Sequence, residues 1–227
     1  MKTVLALISI WTLTLPFFAP ASPANVGPRK PVTFGAAPQR SSEVASIEAY
    51  SRTLDRYFKS HPRATRYYVD ALPEGTAGGS AGDGKDWHKV RNQTAMLEAE
   101  REYATRSITV SEKDGVIVYA DIGQPREHSR RDDGYYFRND GTLAKIASDY
   151  YANIAGVHIT RDYFYGAGGR LLRETTQCFQ IITTPKRTLE KRASCGRAEM
   201  KEELSDYHVP VYTRNTELPG HLFLKGR

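Results

Sequence analysis

Residues 135–179 read YYFRNDGTLAKIASDYYANIAGVHITRDYFYGAGGRLLRETTQCF, and this stretch decides the fold. Two runs rich in Tyr, Phe, Ile, Val and Thr are each broken by a turn, at Asn139-Asp140-Gly141 and at Gly166–Gly169. Aromatic and β-branched side chains suit a pleated surface, and glycine supplies the positive φ of a tight reversal. Each unit therefore reads as a β-hairpin. A shift of 28 residues superposes Phe137 on Tyr165, Gly141 on Gly169, Leu143 on Leu171 and Lys145 on Arg173. The hairpins form an internal repeat, and a pair of copies is too short a series for a solenoid.

Upstream, Ile108 and Val110 alternate with polar residues, Lys113-Asp114-Gly115 marks a turn, and Val116–Ile122 is rich in strand formers. This is a further hairpin and a fainter third copy. A polar loop is expected over 123–133. The chain thus reads as α+β, with N-terminal helices packed on an antiparallel β-meander of about six strands. One face would meet the helices and the other would face solvent. A four-residue turn at Gly166–Gly169 would set Tyr165 opposite Arg170, Arg161 opposite Glu174 and Asp162 opposite Arg173. Opposite charges across strands are favourable by a few tenths of a kcal/mol, so this register is expected. A three-residue turn would set Asp162 against Glu174 instead.

Ser41-Ser42-Glu43 can start a helix, with serine as cap and an acid at the positive end of the dipole. Val44, Ile47, Tyr50, Leu54, Tyr57 and Phe58 then share one helical face, and His61-Pro62 ends the run. Residues 64–72 fit helix or strand, and Trp87–Ala104 reads as helix. Pro73–Asp86 is a glycine-rich loop. Arg197–Leu204 forms a short helix. Tyr207–Tyr212 fits an edge strand, where Pro210 is tolerated.

The N-terminus reads MKTVLALISIWTLTLPFFAPASPAN. Lys2, an apolar run from Val4 to Leu15, and the small-residue triplets Ala19-Pro20-Ala21 and Ser22-Pro23-Ala24 describe a secretory signal peptide over residues 1–24. Cleavage after Ala21 or after Ala24 fits equally well with that pattern; Ala24 is the expected site. Residues 25–40 read as a flexible leader, and 41–227 as a single α+β domain. No later stretch reaches the roughly 20 apolar residues of a membrane span. The expected location is secreted or periplasmic. There Cys178 and Cys195 should pair as a disulfide.

The 227 residues are 40% hydrophobic and 26% charged, which excludes a wholly disordered chain and a polytopic membrane protein. A formal charge of +6 suggests an anionic glycan or lipid headgroup as partner. Nucleic acid is a weaker expectation for an exported chain.

Catalytic signals fail on inspection. Gly78-Gly79-Ser80-Ala81-Gly82 matches the nucleophile-elbow pattern but lacks the strand before it. Gly166–Gly169 leads into a strand, not into a phosphate-binding helix. None of the six histidines lies within four residues of another, so no metal site is assigned. Glu100 with Glu102, or Asp132 with Asp133, are adjacent acids with no fixed separation, and no general acid or base is assigned. No cofactor is expected. Asn92-Gln93-Thr94 fits the N-glycosylation pattern.

The adjacent aromatics, such as Tyr135-Tyr136, should point one inward and one outward. Tyr136 and Arg161 are candidates to bind sugars or planar ligands. His158 and Asp162 are candidates on one strand face together with Thr160. The tyrosine- and glycine-marked hairpins around Asp140-Gly141-Thr142-Leu143 resemble the YD repeats of large exported toxins. They lack that family's regular period, and no function is carried over. The expected function is a non-enzymatic binding or envelope-associated module. The alternative is a small exported hydrolase whose site is assembled from distant residues such as His158 and Asp162.

Overall fold

A computed structural model describes residues 37–70, 87–102, 104–184, 187–205 and 207–219. The expected signal peptide, residues 25–36 of the expected leader, the glycine-rich loop and the Gly78–Gly82 motif lie outside the described residues. In chain order the elements are α1 (Ala37–Ser60), β1 (Thr65–Val69), β2 (His88–Val90), α2 (Gln93–Glu102), β3 (Ser107–Lys113) and β4 (Val116–Pro125). Then follow β5 (Ser129–Phe137), β6 (Leu143–Ala152), β7 (Val157–Tyr165), β8 (Leu171–Thr184), β9 (Arg187–Ala193) and α3 (Ala198–Ser205).

Among the described residues nine strands form one sheet in the order β2-β1-β3-β4-β5-β6-β7-β8-β9, and every neighbouring pair is antiparallel. The α+β meander is as expected, with more strands than six. The additions come from sequence read otherwise. Trp87–Ala104 is not one helix: β2 occupies His88–Val90, and α2 starts after Asn92, whose Oδ1 caps the Ala95 amide at 2.9 Å. The expected loop over 123–133 is mostly strand, because polar residues there line a shared groove instead of alternating with apolar ones.

Three hairpins carry the same irregularity. Glu112 pairs with Ile117 but Ser111 pairs with Tyr119; Phe137 pairs with Leu143 but Tyr136 with Lys145; Tyr165 pairs with Leu171 but Phe164 with Arg173. Each second strand thus holds one extra residue: Val118, Ala144 or Leu172. A bulge re-aims its side chains. Here it turns the extra residue toward α1. Val118 packs with Leu54, and Ala144 and Leu172 pack with Val44 and Ile47. The repeat seen in the sequence is therefore a repeat of helix-docking positions.

The bulge also overturns the expected register. The Gly166 amide donates to Arg170 O at 2.9 Å, which closes a three-residue loop with Gly169 at φ +74°. The extra residue then sets Arg161 opposite Thr176 and Asp162 opposite Thr175, not Glu174 and Arg173. α1 also begins earlier than expected, at Ala37; Pro38 is tolerated because the first turn needs no intrahelical N–H bond. Ser41 lies inside the helix and does not cap it.

The sheet is covered on both faces. α1 and α2 lie on one: α2 packs Met96 and Ala99 on Val69. The other face was expected to be solvated, but it holds the main core around Tyr135, Phe137, Ile146 and Ile108. The segment expected as an edge strand at Tyr207–Tyr212 crosses this face without joining the sheet. Tyr135 Oη donates to Pro210 O at 2.9 Å, and the Leu143 amide donates to Thr213 O at 2.9 Å. The expected disulfide is present between Cys178 and Cys195, Cα atoms 5.3 Å apart, and fastens the start of α3 to β8.

Candidate acidic trough

Register fixes which side chains share the helix-bearing face. Tyr119, Tyr136, Lys145 and Phe164 form one row across β4–β7. The next row is Asp121, Gly134, Ala147 and Asp162. The row after it is Gly123, Asp132, Asp149 and Thr160. α1 covers the first row and α2 covers the β1–β3 side. Between the two helices the central side chains are small, at Gly134, Ala147 and Gly123, with Tyr119 leaning over Gly134 and Ser107, Arg130 and Glu100 closing over Gly123. The result is a trough with four aspartates, one from each of four successive strands.

Asp132 and Asp149 are direct cross-strand partners. Arg130 Nε lies 2.7 Å from Asp132, and the same guanidinium reaches Glu100 of α2, which also accepts from Ser107. Asp149 is half exposed and lies 3.2 Å from His158 Nε2. Lys145 Nζ stands 2.8 Å from Asp162. Asp121 accepts no hydrogen bond from any described side chain. Its carboxyl is pushed up to about 7, first by burial and then by the charge of Asp132. Burial, with Asp121 nearby, also holds the Tyr119 phenol well above its usual range. Tyr136 Oη donates to Asp55 of α1 at 3.0 Å.

At the α2 end the trough opens beside a cleft of about 780 Å³, lined by Leu97, Glu100, Arg126 and Arg130 among others. Among the described residues, no three His, Cys, Asp or Glu side chains converge as metal ligands. The aspartates are spread along the trough and would meet a ligand at several points.

The candidates read from sequence divide between the faces. Tyr136, His158 and Asp162 share the trough face with Thr160. His158 is buried, stacked on Tyr151 at 3.9 Å between ring centroids and flanked by Phe179, with Glu190 Oε2 3.2 Å from Nδ1. It and Asp162 are held by different partners. Arg161 lies on the opposite face, under the C-terminal segment, 4.8 Å from the Tyr207 ring and bonded to Tyr207 O. Tyr135 and Tyr136 are both buried, so neither is presented outward.

Asp121, Asp132, Asp149 and Tyr119 were missed as site residues. The signal available in sequence was one Asp per strand, which becomes a row only once the bulged register is known. On the other face Asp133, Ser148 and Tyr207 form a fully buried hydrogen-bonded cluster beneath the tail, with Arg131 Nε 2.9 Å from Asp133. Burial there leaves no room for a nucleophilic serine to meet a substrate. Compared with protein families, with curated proteins and with solved structures, the chain matches none.

Proposed function

We propose that the chain is a non-enzymatic, extracytoplasmic binding module whose trough takes a glycan rich in hydroxyl or amino groups. The carrying observation is the direct opposition of Asp132 and the half-exposed Asp149 across β5 and β6. Carboxylates accept hydrogen bonds and carry negative charge, so the complementary ligand must donate. Tyr151, half-buried, adds ring surface along the same face. An anionic glycan would add charge to a row of aspartates, so the ligand is neutral or cationic and not the anionic one that the chain's net charge suggests. The signal-peptide pattern and the disulfide support an extracytoplasmic setting.

Calorimetric titration tests this reading, with chitosan oligomers, neutral cello-oligosaccharides and heparin fragments. Saturable binding of one of the first two, weakened at least about tenfold in Asp132→Asn with Asp149→Asn, supports it. Binding of heparin alone, or of none, overturns it.

The hydrolase reading keeps one specific support. Asp121, holding its proton near neutral pH beside Asp132, has the character of a general acid. Turnover of chromogenic glycosides that disappears in Asp121→Asn would favour hydrolysis over binding.

A further inference from the structure

β8 and β9 outrun the rest of the sheet. β7 starts at Val157, opposite Gln180, and beyond that point residues 181–184 of β8 ladder only with residues 187–190 of β9. The two strands therefore end in a projecting arm. Gly156 O accepts from the Ile181 amide at 2.7 Å, which seats the β6–β7 turn against the base of the arm. That turn carries Ile154, 76% exposed and the barest large hydrophobic among the described residues.

On the arm, Ile182 and Leu189 are direct partners on one face, and each is 38% exposed. The alternation of a strand puts Arg187, Leu189 and Lys191 on that same face, cation, apolar, cation. All three are exposed. The acid on β9, Glu190, points to the other face, where it meets His158. Over the body of the sheet this face is covered by Met200 and Tyr207, but the apolar pair of the arm lies outside that cluster.

Cations along an edge strand discourage pairing with a second copy of the same edge. Exposed apolar side chains bracketed by Lys and Arg match the boundary between acyl chains and anionic headgroups. We propose that the β8–β9 arm, with Ile154, docks the protein on an anionic lipid surface. Ile154, Ile182 and Leu189 enter the acyl boundary, while Arg187 and Lys191 meet the phosphates. This docking surface is independent of any ligand in the trough.

The test is sedimentation of the full chain with vesicles of phosphatidylglycerol plus phosphatidylcholine, against phosphatidylcholine alone. The apolar Val4–Leu15 run is common to every variant, so the readout is the ratio of binding to the two vesicle types. The expected ratio favours the anionic vesicles and falls with salt. Removing a single cation, Lys191→Gln, should lower it about fivefold. Ile154→Ser with Ile182→Ser and Leu189→Ser should lower anionic-vesicle binding further. An unchanged far-ultraviolet dichroism spectrum and an alkylation-resistant disulfide would show that these exposed changes leave the fold intact. Equal binding to both vesicle types overturns the proposal. So does a ratio that Lys191→Gln leaves unchanged, or anionic-vesicle binding that the triple serine variant leaves unchanged. A change in oligomeric state without vesicles, and none in the ratio, would assign the arm to self-association instead.

Discussion

Asp132 on β5 and Asp149 on β6 face each other directly across a strand pair, where a sheet ordinarily places opposite charges or apolar partners. Arg130 and His158, both from the next row of the sheet, each hold one of them. Local conflict of this kind is characteristic of functional positions. Asp149→Asn should remove the repulsion while keeping an oxygen for His158. The expected result is a fold more stable by about 0.5 kcal/mol, read from the urea midpoint, together with weaker glycan binding. A less stable variant would mean that the contact with His158 outweighs the repulsion.

Asp121 gives the trough a pH dependence. Its carboxyl is pushed from 3.8 to about 7 by burial and Asp132, so the folded chain binds this proton more tightly than the unfolded chain. Between those values the native state is protonated and the unfolded state is ionised. This group's contribution to stability therefore falls as pH rises from 3.8 to about 7, and stays low above. Asp121→Asn cannot ionise. It should match the parent near pH 3.5 and exceed it by more than about 1 kcal/mol at pH 8, since a tenfold change in proton affinity is worth about 1.4 kcal/mol. Urea unfolding at several pH values gives the difference curve, and a flat one would show that Asp121 titrates alike in both states.

The hairpin repeat was legible because turn glycines and strand formers recur together. Its register was not. One extra residue on each second strand, Val118, Ala144 or Leu172, leaves no mark in turn length or composition. Charge pairing was the wrong guide, because packing against α1 fixes the slip. β2 was hidden by its three-residue length, and Asp132 by its polar neighbours Arg130, Arg131 and Asp133, which look like loop until their partners are known. Tyr207–Tyr212 has the alternation of a strand, yet its aromatics pack across the sheet onto Tyr135 and Tyr150. Of the trough, Tyr136, His158 and Asp162 could be named from sequence. The aspartates that give it its charge depend on non-local pairing.

The bulges make α1 an integral part of the fold, and Leu54 is its most deeply buried described side chain, packed on Val118 and Tyr136. Leu54→Ala should cost about 2–4 kcal/mol, through lost transfer energy and a residual cavity. Glu48 and Arg173 pair at the exposed rim of the same contact, and Glu48→Ala should cost less than about 1 kcal/mol. Equal effects in chemical denaturation would mean that the helix is held by charge and not by packing.

The disulfide ties the start of α3 to β8 and so secures Met200 over the second core cluster. Replacing both cysteines, Cys178→Ser with Cys195→Ser, should cost about 3 kcal/mol by releasing the closed loop in the unfolded chain. Because Cys178 lies on the sheet face opposite the aspartates, packed with Met200 and Tyr207, glycan affinity should be unchanged under conditions where the variant stays folded. Lost affinity in a fully folded variant would place part of the binding surface at α3.

Gly134 tests whether the trough is the binding surface at all. A Cβ there would lie 3.1 Å from Tyr119 Oη and 3.4 Å from Ala147 O. Its closest neighbour is thus a phenol that packs 4.9 Å from Tyr136 and 6.0 Å from Phe58, between ring centroids. Gly134→Val would raise the floor and displace that phenol, at a cost of about 1–3 kcal/mol for overpacking. Glycan affinity should fall at least about tenfold in the folded variant, because Gly134 lies one row from Asp132 and Asp149 on the same face. Gly134→Ala, with less bulk, should give a smaller loss in the same direction. Parent-like affinity in both variants would move the ligand off the sheet face and toward the cleft beside Arg126 and Leu97.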